Sequence, residues 1–429
     1  MLDTLLAILK ESGAAAWEVW DVETRGWEFY FIRHALDQNR AKNVEHLTVK
    51  VYQSVEDGAY LGSASCEIAP TASEAQMRAQ IEALCYRATL VKNKPYTLRG
   101  PEAVELPALE EVDLAAISAE FLSAVRSLPE TEGEDVNSYE LFVSEKTRRF
   151  LNSEGIDVTE RCPESMLEIV VNARHEGHEI ELYRNYTAGG CDAAALHRDL
   201  ERTMRFGRDR LCASPTPALG KADLLLTTSA AVTLYSYFTD RLNASMIYRR
   251  MSDWELGKPV ADFAGDRPTI TALRELPNSS RNRRFDAEGA PIRDTPLLED
   301  GIARNYLGSR MFAAYLGLES AFQPTNFAVS GGTQHEAALR AGAYLEVVEF
   351  SDFQVDSMTG DVFGEIRLGY WHDGESVTPV TGGSVSGSML ELAGALRFSR
   401  ESAQYDNWLI PAATLVSGVT VTGVGENEN

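Results

Sequence analysis

The alternation of apolar and polar positions divides the chain into two kinds of element. Residues 1–12 repeat apolar positions at helical spacing and predict an amphipathic helix ending near Gly13. Residues 17–21 and 25–33 read as two strands of a hairpin, with Glu28, Tyr30 and Ile32 alternating against Trp27, Phe29 and Phe31. Period-two alternation returns over 46–54 and 59–68, separated by an Asp57-Gly58 turn. Thr71 or Ser73 can cap the next helix, whose Met77, Ile81, Leu84 and Ala88 share one face. A strand meander backed by helices is an α+β layer.

Residues 92–109 are proline-rich and aperiodic, and read as a linker crossing the surface. A helix over 113–127, apolar at Leu114, Ile117, Phe121 and Val125, leads into a solvated acidic loop at 129–135. Strands are predicted at 138–145, 147–153, 166–173 and 178–186, then a helix over 192–212. Two prolines and a glycine within 213–220 mark a boundary. At 429 residues the chain exceeds a typical single core. The pattern therefore gives an α+β protein: an N-terminal α+β domain of antiparallel sheet with helices, 1–212, and a C-terminal β-rich domain, 213–429. The second domain opens with a strand at 222–227 and one long helix at 230–250, striped by Leu234, Phe238, Leu242 and Met246. Beyond Trp254 the chain reads as turns and short strands, with helical spacing only at 332–342 and 389–398.

Turn chemistry is densest in residues 285–310. Asp286 to Gly289 forms a tight turn in which Gly289 can take positive φ, and Pro291 keeps its neighbourhood extended. Residues 297–301 form a second turn, and 302–307 read as a strand with Tyr306 available to pack. Two turns flanking short apolar runs describe an antiparallel meander. This D-x-E-G-x-P, the following Leu297-Leu298-Glu299-Asp300-Gly301 and the Tyr306-Leu307 pair resemble, in order, the core of the TldD/PmbA family. Ser214-Pro215-Thr216-Pro217-Ala218, residues 342–347 and Val355-Asp356-x-x-Thr359-Gly360 extend the resemblance over essentially the whole chain.

The resemblance raises the question of zinc. Catalytic TldD-type members look like metalloproteases that use H-E-x-x-x-H on a helix and a later cysteine as ligands, with the glutamate activating a zinc-bound water. In this chain the helix in that place, 230–250, contains no His, Cys or Glu. The last cysteine is Cys212, and the C-terminal half has only His335 and His372. The resemblance thus implies a PmbA (TldE)-like member lacking the zinc motif, with no catalytic residue, metal or cofactor of its own. It implies a heterodimer with a TldD-like zinc protease subunit, enclosing a chamber where unfolded or modified peptides, including leader sequences in peptide maturation, are cleaved. Two other readings stand beside it: a homodimer that is itself a hydrolase, and a binding or scaffold protein with no protease partner.

Several short motifs imitate chemistry. His175-Glu176-Gly177-His178 has H-E-x-H spacing at a hairpin tip, where residues three apart point to opposite faces. It reads as a polar tip, with His175 and His178 the alternative metal pair. His335-Glu336-x-x-x-Arg340 ends in an arginine, which cannot ligate zinc. The glycine- and serine-rich run 382–389 lacks the G-K-[ST] ending of a phosphate loop and reads as a turn or a closely approached strand. The basic island 278–284 reads as an exposed loop, with Arg281, Arg283 and Arg284 candidate contacts for a partner subunit or peptide carboxylates. Tyr235, Tyr237, Phe238 and Tyr248, at helical spacing, read as core and interface.

Charge narrows the partners. With 64 acidic against 40 basic residues the formal charge is -24, which disfavours nucleic acid and anionic membrane, and with them the older family label of gyrase modulator. Five cysteines without a C-x-x-C pair fit reduced thiols in a cytoplasm. The first twenty residues lack the pattern of a signal peptide, and no apolar run is long enough to span a bilayer. A cytoplasmic location is expected.

Overall fold

A computed structural model describes residues 1–104, 109 and 111–424. Part of the expected 92–109 linker lies outside the described residues. The N-terminal part runs α1 (Leu2–Glu11), β1 (Ala16–Ile32), β2 (Ala35–Val55), β3 (Tyr60–Ile68), α2 (Glu74–Ala88), α3 (Leu114–Arg126), β4 (Glu134–Asn152), β5 (Asp157–His175), β6 (His178–Ala188) and α4 (Ala193–Leu211). Its strands form one antiparallel sheet in the order β3-β2-β1-β4-β5-β6. The strands expected at 17–21 and 25–33 are one strand, and so are those at 138–145 and 147–153. Gly26, inside the expected strand 25–33, lies within β1. A Cβ there would sit 2.3 Å from the Val143 carbonyl, so the glycine serves close approach between strands.

The helices cover one face of this sheet. Leu5, Leu9, Ile81 and Leu84 of α1 and α2 pack with Val19, Val49 and Val51. Phe121 of α3 and Leu200 of α4 pack with Leu141, Val143 and Leu167. The starts are set by side-chain caps: Ser73 forms a capping box with Gln76, and Asp113 and Asp192 each accept a first-turn amide. The opposite face carries Glu18, Trp20, Phe150 and Glu160, and the C-terminal part docks there.

That part contains β7 (Ser214–Pro215), β8 (Gly220–Leu226), α5 (Ala230–Arg241), α6 (Ala244–Tyr248), β9 (Thr269–Leu273), β10 (Thr295–Glu299), β11 (Ile302–Ala303), α7 (Arg310–Tyr315), β12 (Asn326–Ser330) and α8 (Glu336–Leu339). It continues with β13 (Tyr344–Val355), β14 (Asp361–His372), β15 (Val377–Thr381), β16 (Ser384–Ser388), α9 (Met389–Leu392), β17 (Arg397–Phe398), β18 (Ser402–Tyr405), β19 (Trp408–Pro411) and β20 (Thr414–Thr422). One sheet has the order β11-β10-β9-β12-β19-β18, the other β13-β8-β20-β16-β14-β15-β7 with β17 beside β20. Buried Leu234, Tyr235 and Phe238 of α5 share a core with Ile270, Leu298, Leu345 and Phe398. The chain is thus α+β with mainly antiparallel sheets.

The long helix expected over 230–250 is broken after Leu242. Asn243 accepts from the Ser245 amide at 2.9 Å and so starts a new helix, while the Ala244 amide donates to Leu307 at 2.7 Å. Leu234, Phe238 and Leu242 keep their buried stripe, and Met246 leaves it. Leu297 and Leu298 belong to β10 rather than to a turn. The turn is Asp300-Gly301, with φ of 49° and 72°, and the following strand covers only Ile302–Ala303. The helices expected at 332–342 and 389–398 shrink to single turns, α8 and α9. Among the described residues no helix is long and apolar enough to cross a membrane.

Candidate functional site

Two outer strands, β6 of the first sheet and β18 of the second, border one cleft of about 1680 Å³. Its floor and walls come from residues 183–188 of β6, Asp199, Arg202 and Asp209 of α4, and Glu346 and Glu349 of β13. Tyr370 and His372 of β14 and residues 402–405 of β18 complete it. Helix α5 begins in the cleft, where Ser229, Ala230, Val232 and Thr233 line it. These residues bring no metal donor of the His, Cys or Glu kind, so this helix start does not fit a zinc ion.

The charged wall is internally paired. Glu346, 8% exposed, accepts from Thr227 Oγ1 at 2.7 Å and from Arg340 Nη1 and Nη2 at 2.6 and 3.0 Å. Burial alone would lower the Arg340 pKa, but its bonds to Glu346 and Glu336 carry it above the usual arginine value. His372 stacks on Tyr344 with ring centres 4.1 Å apart, and burial holds its imidazole below the usual value. Tyr370 donates to Asp209 at 2.7 Å; burial first, then that carboxylate, push the phenol up. Tyr405 donates to the Thr227 carbonyl at 3.1 Å, and Arg202 pairs with Asp199. Arg184 reaches Glu349 Oε1 at 3.3 Å, while the buried Oε2 of Glu349 has no hydrogen-bond partner among the described residues. A groove with fixed polar walls and two strand edges can hold an extended chain through its backbone amides and carbonyls.

The histidine pair is arranged differently from the sequence expectation. Glu176 and Gly177 have φ of 50° and 83°, making a two-residue turn that sets His175 directly opposite His178. Opposed residues of a hairpin share a face, so the two imidazoles do not point to opposite sides. His175 is half exposed, and its Nε2 lies 3.9 Å from Glu176. Among the described residues, no group of three or more His, Cys, Asp or Glu side chains is placed to hold a metal ion. His335 precedes α8 with Nδ1 2.6 Å from Glu401, and that bond is the first reason the Glu401 carboxyl falls to about 2.

The basic island is not an exposed loop. Ser279 and Ser280 are each 1% exposed, bonded to Asn326 at 2.6 Å and Asp406 at 2.7 Å. Asn282 ties the loop to itself by bonding both the amide and the carbonyl of Leu276. Arg281 faces solvent, Arg283 is half-buried, and the Arg284 amide donates to Glu160 at 2.8 Å. The island's arginines therefore occupy different environments rather than one patch.

The D-x-E-G turn is a brace outside the cleft. Asp286, 5% exposed, accepts from the amides of Glu288 (2.8 Å), Ala290 (2.9 Å) and Gln323 (3.0 Å). Gly289 has φ of 77°, and a Cβ there would lie 2.8 Å from the Phe150 ring. Trp20 Nε1 donates to the Ala287 carbonyl at 2.6 Å, joining the turn to the first sheet. Glu288 accepts the Arg310 amide at 2.6 Å; burial, reinforced by Asp286 and Glu18, pushes its carboxyl up to about 7. Sequence reasoning missed the cleft because its walls come from distant segments. The available signal was α4, whose Arg198, Arg202, Arg205, Arg208 and Arg210 stand out in an acidic chain.

Residues 219–423 match the PmbA/TldA metallopeptidase C-terminal domain, so this part of the chain belongs with the TldD/PmbA family, a metallopeptidase-like family. The chain is 26% identical over 314 residues to the metalloprotease PmbA of Escherichia coli O157:H7. That match covers 70% of this chain and 64% of the relative, just under two thirds of its length. Among solved structures, TldE from Thermococcus kodakarensis aligns with a TM-score of 0.78 at 14% identity, covering 98% of this chain and 100% of that one. A Bacteroides thetaiotaomicron protein proposed as a modulator of DNA gyrase aligns with a TM-score of 0.81 at 17% identity, covering 98% of each chain. A Thermotoga maritima protein proposed for the same role gives 0.77 at 18%, covering 98% of this chain and 99% of that one. These structures share the fold.

Proposed function

We propose that this chain is the zinc-free, TldE-like subunit of a TldD/TldE-type metalloprotease and acts by holding peptide rather than cutting it. The observation that carries the reading is the start of α5. It opens into the cleft at the place where the family resemblance puts the zinc motif, yet presents Ser229, Ala230, Val232 and Thr233. Zinc and its activated water would reside in a TldD-like partner. The cleft supplies an extended path for an unfolded or modified peptide, bordered by the edges of β6 and β18. The acidic surface favours a peptide substrate over nucleic acid, and the cysteine usage favours a reducing cytoplasm. The proposed division into domains 1–212 and 213–429 sets the cleft between them.

The test is hydrolysis of an unstructured peptide by the chain alone, by a TldD-like chain alone and by the two together, each with and without chelator. Robust cleavage only by the pair, abolished by chelator, is expected. Chelator-sensitive cleavage by this chain alone, lost in a His175→Ala/His178→Ala double variant, would favour a homodimeric hydrolase instead. The shared face of the two imidazoles is the observation behind that alternative. Recovery from its native source with no protease bound would favour a scaffold.

A further inference from the structure

The face of the first sheet turned away from its helices holds a second cavity, about 270 Å³, beneath residues 283–287. It shares no lining residue with the cleft. Trp20 of β1, Phe150 of β4 and Phe285 give it aromatic walls, the Trp20 and Phe150 rings lying 5.4 Å apart. Its charged side chains are mostly engaged. Arg149 forks onto Asp157 with two bonds of 2.8 Å. Arg148 donates to Cys162 Sγ at 2.8 Å and approaches Glu164 at 3.6 Å. Glu160 accepts the amides of Arg284 and Phe285 at 2.8 and 3.4 Å.

Arg283 is different. It lines the cavity, and its Nε is buried with no hydrogen-bond partner among the described residues. Burial and the like charge of Arg148 both work against its guanidinium, with Glu160 opposing them. An arginine stays protonated at neutral pH, so a buried donor without an acceptor is a standing demand for one. A guanidinium fork matches a carboxylate in shape and charge. The cavity volume suits a ligand the size of an amino acid rather than a long chain.

We propose that this cavity binds a small carboxylate with an apolar body, the carboxylate on Arg283 and the hydrocarbon between Trp20, Phe150 and Phe285. Two sources present that chemistry: a free carboxylic acid, and the C-terminal end of a short apolar peptide. Titration calorimetry on the full chain separates them, using 4-methylpentanoate, its amide, the tripeptide Gly-Gly-Leu and the amidated tripeptide. Saturable binding of at least one acid is expected, weakened about tenfold or more in its amide and in Arg283→Gln, as loss of a charge-assisted bond requires. Quenching of tryptophan fluorescence by the acid, diminished in Trp20→Phe, should accompany it. Binding of 4-methylpentanoate alone assigns a free acid, and binding of the tripeptide assigns a peptide end. If Arg283→Gln does not fold, the acid and amide pair on the unaltered chain decides. Neither acid saturating at millimolar concentration, or amides binding as tightly as acids, would overturn the proposal.

Discussion

Asp286 offers the sharpest test of how the two parts of the chain are joined. Its carboxylate holds three backbone amides, two on Oδ1 and one on Oδ2. Desolvation raises its pKa, so the burial of this charge is a cost that the three bonds offset. Asp286→Ala removes the acceptor and leaves those donors unpaired at about 1–3 kcal/mol each, partly relieved by losing the buried charge. The net expectation is about 4 kcal/mol, near the upper end for one substitution. In a domain of this size that lowers Tm by roughly 10 °C. Asp286→Asn should lose about half as much, because its amide oxygen can serve Glu288 and Ala290 while its NH2 opposes the Gln323 amide. Thermal unfolding by circular dichroism measures both, and tryptophan fluorescence reports the Trp20–Ala287 contact. A fall of under about 2 °C for Asp286→Ala, or a larger fall for Asp286→Asn, would refute the brace.

Glu288 titrates at about 7 when folded against 4.5 when unfolded, so its contribution to stability is full below 4.5 and lost as pH rises through 7. Glu288→Gln should therefore flatten the decline of unfolding free energy across that window, by at most about 3 kcal/mol; identical pH profiles would contradict this. Arg340→Ala strips two bonds from the buried Glu346 and should cost about 2 kcal/mol in urea unfolding, discounted because Arg340 is partly exposed. Adding Glu346→Gln should recover part of that loss. Gly62→Ala would place a Cβ 1.9 Å from the Ala88 carbonyl and 2.5 Å from that of Val91, costing about 3 kcal/mol; an unchanged melting temperature would rule out that approach of α2 to β3. A peptide N-methylated at alternate amides should bind the cleft about tenfold more weakly than its parent, and equal affinity would argue against strand addition.

Much of the architecture was legible locally. Ser73 and Asp192 announce their helices because a capping oxygen must precede an apolar stripe, and the Asp57-Gly58 turn sits between its strands. What misled were residues whose reason lies across the fold. The hairpin expected from 17–21 and 25–33 is one long strand, whose Gly26 admits a neighbouring strand, and Asn243 ends a stripe that periodicity alone would continue to Arg250. The basic island imitates a solvated loop, yet Ser279 and Ser280 are held by Asn326 and Asp406, far along the chain. That residues 230–250 contain no His, Cys or Glu could be read directly, because residue identity needs no geometry. The cleft could not, since β6, α4, β13 and β18 meet only after folding.

The central claim is that α5 opens into the cleft without the side chains to hold a catalytic ion. Zinc content of the isolated, extensively dialysed chain tests it most directly. The account predicts zinc far below stoichiometric, and unchanged in the His175→Ala/His178→Ala double variant. Stoichiometric zinc that survives dialysis, with hydrolysis that disappears when the ion is removed, would contradict it.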